Sequence, residues 1–281
     1  MNTLLIAIIL MSSFGIILGL IIGVIAKIFK VETDSRVELV LELLPGANCG
    51  GCGKAGCADF AQSVVSGENT PSKCPVSSAE QITAISQALG IEAGTVNKMK
   101  ALAACAGDDF QMTRHINYNG ILDCAAASLV AGGPKGCQYG CIGMGTCAHV
   151  CPFGAIEIIN HLAVVHPELC VGCGKCVAAC PRGVLRLVPE EATCHVYCNS
   201  PAKGVDKRND CKVGCIGCKK CERESDNQFV VDGFLAKVNY DNKNLPTKET
   251  IEKINCPRKS ILTIDEHLNI ERNEQEVSCH D

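Results

Sequence analysis

The chain has 281 residues, of which 22 are cysteine, none is tryptophan and only 4 % are aromatic. A net charge of −4 leaves no basic footprint for nucleic acid, and a chain this long is not one of the small secreted scaffolds held by disulfides. With so few rings to fill a core, groups bound through sulfur are expected to replace part of it.

The first element is an apolar run, Leu4 to Ala26, without a charged side chain. Its 23 residues rise about 34 Å as a helix, enough to cross the hydrocarbon core of a bilayer. A cleaved signal peptide is the rival reading. It is disfavoured because no Lys or Arg precedes the run and no small-x-small cleavage site follows it. Lys27, Lys30 and Arg36 come just after the run, which places the remaining chain on the cytoplasmic side of a single-pass anchor. Gly15, Gly19 and Gly23 form a smooth stripe suited to a partner helix, although glycine is also simply common in membrane helices. The span holds no Asp, Glu or His, so this helix alone should not move ions.

The segment 34–44 (DSRVELVLELL) reads as a helix with Val37, Val40, Leu41 and Leu44 on one side, ended by Pro45-Gly46. A second helix is expected at 79–89, with Ser78 as N-cap, Gln81 completing a capping box and Gly90 as terminator. Between them lie Cys49, Cys52, Cys57 and Cys74-Pro75, with Gly50, Gly51, Gly53 and Gly56 interleaved. Four thiolates converging on a cubane need a tightly curled loop, and glycine permits the left-handed turns. Zinc could use Cys49 and Cys52 but needs no glycine-padded third ligand.

Further on, Cys170-x2-Cys173-x2-Cys176-x3-Cys180-Pro181 is the two-cluster ferredoxin run, whose fourth cysteine binds the other cluster. Its partner reads as a stretched run, Cys137-x3-Cys141-x5-Cys147-x3-Cys151-Pro152. The cross-over rule then assigns Cys137, Cys141, Cys147 and Cys180 to one cluster, and Cys151, Cys170, Cys173 and Cys176 to the other. A third group, Cys215-x2-Cys218-x2-Cys221, has Ser225 where a fourth cysteine would stand, and Cys256-Pro257 follows later. This reads as a ferredoxin duplication that has lost one cluster, the survivor using Cys215, Cys218, Cys221 and Cys256. The alternatives are a three-cysteine site completed by another ligand, or zinc. Of the remaining cysteines, Cys105, Cys124, Cys198 and Cys211 flank the central run and could converge on a fifth cluster or be buried free thiols. Cys194 and Cys279 have no assigned role.

Short strands are expected at Ala155–Ile159, Leu162–Val165, Val184–Val188 and Phe234–Asn239, and a loosely ordered polar tail after about 265. The seven histidines, His115, His149, His161, His166, His195, His267 and His280, show no ligand spacing and read as surface or loop residues. No Gly-rich loop opens a helix in the dinucleotide pattern, so neither flavin nor NAD is expected on this chain. The fold class is α+β: a single N-terminal transmembrane helix, a small α-rich [4Fe–4S] domain, a ferredoxin-like two-cluster domain and a degenerate ferredoxin-like C-terminal domain. The expected boundaries are 1–30 for the anchor, 31–100, 101–192 and 193–270 for the three domains, and 271–281 for the tail. Three [4Fe–4S] clusters are read firmly, four or five in all, and no acid–base catalytic residue is nominated.

LLPGANCGGCGKAGC, YNGILDC at 118–124, GCQYGCIGMGTCAHVCPFGAI at 136–156, CVGCGKCVAACPRGVL at 170–185 and CKVGCIGCKKC at 211–221 stand in one order. In these motifs, over nearly its whole length, the chain resembles the B component of the Rnf electron transport complex. The resemblance implies a prokaryotic cytoplasmic (inner) membrane complex that moves electrons between reduced ferredoxin and NAD and couples this to Na⁺ or H⁺ movement. It implies partner subunits, with soluble ferredoxin as an electron donor or acceptor. The family's cluster ligands map onto the twelve cysteines of the first group and the central pair. Longer members carry a complete second ferredoxin pair, whereas here the stretch after Cys221 lacks most of one ligand set. The rival functions are a ferredoxin-like subunit of another membrane redox enzyme and a zinc-stabilised interaction module.

Overall fold

The computed structural model describes residues 2–28, 34–95 and 97–269. Lys30, Cys279, His280 and the tail at 271–281 lie outside them. Helix α1 (Asn2–Ile28) contains one candidate membrane span, Leu5–Ile25, none of it buried against the rest of the protein. No Cβ built on Gly15, Gly19 or Gly23 would meet another atom, so the glycine stripe faces open space.

Three helices follow, α2 (Ser35–Leu43), α3 (Cys57–Val65) and α4 (Ala79–Leu89). The α4 start is the capping box that its sequence predicts: Gln81 N–H donates to Ser78 Oγ, and Ser78 N–H donates to Gln81 Oε1. Gly90 closes it in the left-handed region at φ +65°, where other L residues are strained. The helices bury Val37, Val40, Phe60, Val64 and Ile85 together with Cys52 and Cys74, so the first cysteine loop rests on a small apolar core.

Two blocks with one strand plan make up the rest. In the first, β1 (Met99–Ala103) pairs antiparallel with β4 (Leu185–Pro189), and β2 (Ile156–Ile159) pairs with β3 (Leu162–Val165). In the second, β5 (Cys194–Val196) pairs with β8 (Ile261–Thr263), and β6 (Phe229–Asp232) pairs with β7 (Leu235–Val238). Each block thus has its first strand on its last and a hairpin between. The boundary expected at residue 100 falls inside β1, because that strand's partner is β4. Short helices complete the blocks: α5 (Cys124–Leu129), α6 (Thr146–His149) and α7 (Lys175–Ala179) in the first, and α8 (Gly204–Asp210), α9 (Lys220–Glu224) and α10 (Lys248–Ile254) in the second. Residues just after 265 are not the loose tail expected there, since α11 (Ile264–Leu268) is a capped helix with His267 buried.

Each block carries an insertion between its first strand and its cysteine run, and the two insertions meet. Met112 and Cys211 form an antiparallel bridge. Thr113 N–H donates to Asp210 O at 2.9 Å and Lys212 N–H to Gln111 O at 2.8 Å. This seam brings Cys105, Cys137, Cys198 and Cys211 to one cavity.

Candidate metal centres

Three loops share one construction. In Cys141-Ile-Gly143, Cys170-Val-Gly172 and Cys215-Ile-Gly217 the glycine two residues after the cysteine has positive φ, +84°, +70° and +66°. A Cβ there would strike backbone: 2.0 Å from His161 O, 2.1 Å from Met99 O and 2.6 Å from Phe234 Cα. Two residues later the chain is left-handed again, at Gly145, Gly174 and Lys219, and each of these is the N-cap of a short helix that carries the next cysteine, Cys147, Cys176 or Cys221. The loops therefore wrap one way around their centres, and backbone amides turn towards sulfur. Ala101 N–H donates to Cys170 Sγ at 3.3 Å and Ala236 N–H to Cys215 Sγ at 3.4 Å. Hydrogen bonds of this kind favour the thiolate, the form that binds metal.

Superposed in this way, the loops reveal which position differs. The middle cysteine, Cys173 or Cys218, has Met144 as its counterpart in the Cys141 loop. The chain fills the gap from elsewhere: Cys124, at the start of α5, is buried in one apolar cluster with Ile142 and Met144. One cavity is accordingly walled by Cys124, Cys141, Cys147 and Cys180. A second is walled by Cys151, Cys170, Cys173 and Cys176, and a third by Cys215, Cys218, Cys221 and Cys256. The expected grouping of Cys137 with Cys141, Cys147 and Cys180 is not what the structure brings together, and neither is that of Cys124 with Cys105, Cys198 and Cys211. The stretched spacing from Cys137 hides Met144 as the counterpart of a middle cysteine. The repeat of Cys-x-Gly-Met-Gly against Cys-x-Gly-Cys-Gly was the available signal. Cys137 instead lines a cavity of about 380 Å³, larger than these three, with Cys105, Cys198 and Cys211.

In the first cysteine group, Cys49, Cys52 and Cys74 are buried and Cys57 half-buried. Burial raises the Cys52 thiol pKa, and the neighbouring Cys74 and Cys49 sulfurs raise it further. Asn48 Oδ1 accepts from Cys57 N–H at 2.8 Å and ties the two ends of the loop. Elsewhere burial pushes Cys141 up to about 11 and Cys147, Cys176 and Cys221 up to about 12. These buried thiols are poor anions by themselves, and they become thiolates when a bound cation compensates. All cysteines among the described residues are unbridged. Among those residues no three His, Cys, Asp or Glu side chains close on a point tightly enough for a single metal ion. Four thiols line each of three voids, a donor set that suits a multi-iron cube.

Three other expectations resolve here. Ser225 Oγ donates to Cys221 O at 2.6 Å, so it caps α9 and does not reach the cavity. Cys194 is fully buried in β5, with Thr193 Oγ1 at 3.7 Å. His195 and His267 are buried, contrary to the surface positions expected. His195 Nδ1 lies 2.9 Å from Tyr240 Oη, and His267 stacks on Tyr197 and hydrogen-bonds Cys105 O at 2.9 Å through Nε2. Packing across the β5–β8 pair buries them, which local polarity could not reveal.

Cysteine loops of this geometry on a paired-hairpin frame define an iron–sulfur electron carrier of the ferredoxin class. Two family models agree, the Fe-S cluster family over residues 44–76 and the 4Fe-4S binding domain over residues 163–186. The chain is 40 % identical over 233 residues to the B component of the ion-translocating oxidoreductase complex of Methanosarcina acetivorans, covering 82 % of this chain and 88 % of that one. It is 40 % identical over 263 residues to the B component of the Na(+)-translocating ferredoxin:NAD(+) oxidoreductase complex of Acetobacterium woodii, covering 93 % and 78 %. The proton-translocating counterpart from Clostridium ljungdahlii is 41 % identical over 217 residues, 76 % of each chain. The chain belongs to this family, the B components of the ion-translocating, Rnf-type oxidoreductase complexes.

Proposed function

We propose that this chain relays single electrons between partner subunits of a membrane-bound, ion-translocating ferredoxin:NAD oxidoreductase, through [4Fe–4S] clusters held by its cysteine loops. The observation that carries this reading is the loop repeated three times, each copy bordering a void that four thiols line. A cubane bound by four thiolates takes up or releases one electron with little rearrangement, at a potential set by charge, hydrogen bonds to sulfur and exposure.

Four ligand sets follow: Cys49, Cys52, Cys57 and Cys74; Cys151, Cys170, Cys173 and Cys176; Cys124, Cys141, Cys147 and Cys180; and Cys215, Cys218, Cys221 and Cys256. The chain's own groups hold these loops. Lys207, 3 % exposed, donates from Nζ to Cys215 O and Phe234 O, both at 2.7 Å, pinning the Cys215 loop against the β6–β7 turn. Lys135, 2 % exposed, does the same for the β2–β3 turn, donating to His161 O at 2.6 Å. Neither hydride transfer nor ion movement is assigned to this chain. Its candidate span has no Asp, Glu or His, and relatives of 40 % and 41 % identity are named for different ions. Those steps belong to other subunits. The span anchors the cluster-bearing part on the cytoplasmic side, where soluble ferredoxin can reach it, and Gly15, Gly19 and Gly23 offer close approach to a partner helix.

The test is metal and sulfide analysis of the anaerobically purified chain. The reading requires iron and labile sulfide in equal amounts and a visible band that bleaches under dithionite, whereas zinc without sulfide contradicts it. Replacing Cys256 (Cys256→Ala) should remove about four iron per chain and leave the central pair's signals intact. Unchanged iron would show that Cys256 is not a ligand.

A further inference from the structure

The cavity between the two insertions has a symmetry that its sequence hides. Cys105 lies two residues beyond the end of β1, and Cys198 two residues beyond the end of β5. Cys137 precedes Cys141 by four residues, and Cys211 precedes Cys215 by the same interval. Each block thus contributes two cysteines from equivalent places, and all four line the cavity of about 380 Å³.

The supports are equivalent too. In both blocks the arginine after a Cys-Pro pair grips the carbonyl of one lining cysteine. Arg182 donates to Cys137 O at 2.8 Å, and Arg258 donates to Cys211 O at 2.5 Å. In both blocks a buried lysine lines the cavity, Lys135 and Lys207. Their ammonium groups are held by carbonyl oxygens and not by carboxylates: Gly107 O and His161 O for one, Cys215 O and Phe234 O for the other. Buried cations call for a compensating anion. Asp109 answers part of the Lys135 charge and Asp210 also lines the cavity, and the sulfurs are placed to answer the rest. A Cβ built on Gly107 would lie 3.5 Å from Cys211 Sγ and 3.6 Å from Cys105 Sγ, so both sulfurs lie beside this glycine, with the Met112 methyl among them. Gly107 N–H and Cys141 N–H both point at Cys105 Sγ, at 3.4 and 3.5 Å.

We propose that Cys105, Cys137, Cys198 and Cys211 bind a further [4Fe–4S] cluster on the seam between the two blocks, linking the C-terminal centre to the central pair. This rests on the iron–sulfur reading above. The neighbours give it a place in a series. Cys141, of the central pair, touches Cys105 through its N–H. Cys215, of the C-terminal centre, follows Cys211 through Gly214, whose Cβ would lie 3.7 Å from Cys211 Cβ. At the far end, a Cβ on Gly51 would come within 3.0 Å of Cys173 Cα, so the N-terminal loop abuts the other half of the central pair. The order is N-terminal centre, Cys173 centre, Cys147 centre, seam centre and C-terminal centre. Each hop oxidises one centre by one electron and reduces its neighbour by one, with no bond to protein changed.

The experiment is iron and sulfide analysis with Mössbauer spectroscopy on the full-length chain purified without oxygen. Wild type should hold about twenty iron and about twenty sulfide, and the double variant Cys137→Ala/Cys211→Ala about four fewer of each, the remaining centres keeping their spectra. A double variant with wild-type iron overturns the seam centre while leaving the iron–sulfur reading intact. Wild type lacking labile sulfide removes both. If the double variant does not fold, the unmodified chain still decides. About sixteen iron, with Cys105, Cys137, Cys198 and Cys211 alkylated by iodoacetamide in the native protein, overturns the proposal. About twenty, with all four protected, supports it.

Discussion

Two glycines with the same backbone sign have different roles. Gly172 has φ +70° and its missing Cβ would sit 2.1 Å from Met99 O, whereas Gly233 has φ +58° and open space around it. An alanine at Gly233 is expected to cost about 1 kcal/mol, the left-handed penalty alone. At Gly172 the same change must also push β1 away from the Cys170 loop. We predict that Gly172→Ala loses the iron of the central pair and lowers the thermal midpoint far more than Gly233→Ala, as read by iron analysis and calorimetry. Equal behaviour of the two variants would show that the close approach does not matter. The cysteine and glycine spacing was legible in the sequence because each loop is local. The place of Cys124 was not, because it joins the Cys141 loop only through packing with Ile142 and Met144.

At the scale of elements, α4 could be read to the residue because its capping box and terminal glycine are local chemistry. The β2–β3 hairpin was readable from its β-branched runs. Strands β1 (MKALA) and β5 (CHV) were not, since each is short, lacks alternation and exists only through its partner strand. The repeated loop makes a sharp prediction about ligand supply. Cys124→Ala should strip one central cluster, and adding Met144→Cys should restore it, because position 144 is the counterpart of Cys173 and Cys218. Iron content and the low-temperature EPR spectrum would read both steps, and failure of the second change to restore iron would refute the alignment of the three loops. In the three-helix block, Phe60 is 1 % exposed beneath the first cysteine loop. Phe60→Ala should cost about 3–5 kcal/mol, seen as a lower denaturation midpoint of that block.

Over the whole molecule, the scarcity of aromatic side chains is offset by sulfur. The core of the first block includes Cys105, Cys141, Cys147, Cys176 and Cys211 beside Leu162, Val184 and Leu185. Removing iron should therefore loosen the fold as well as end electron transfer, and chelation should raise backbone hydrogen exchange in both strand blocks. The anchor makes its own prediction: with Leu5–Ile25 apolar and unburied, the chain should stay with membranes through alkaline carbonate washing and be released only by detergent. The account as a whole turns on stepwise one-electron uptake. Its most direct test is an anaerobic reductive titration of the full-length chain followed by EPR. The account predicts one electron taken up for about every four iron, with signals from interacting centres as neighbours become reduced. A chain that takes up no electrons, or holds its iron in isolated single-ion sites, would contradict it.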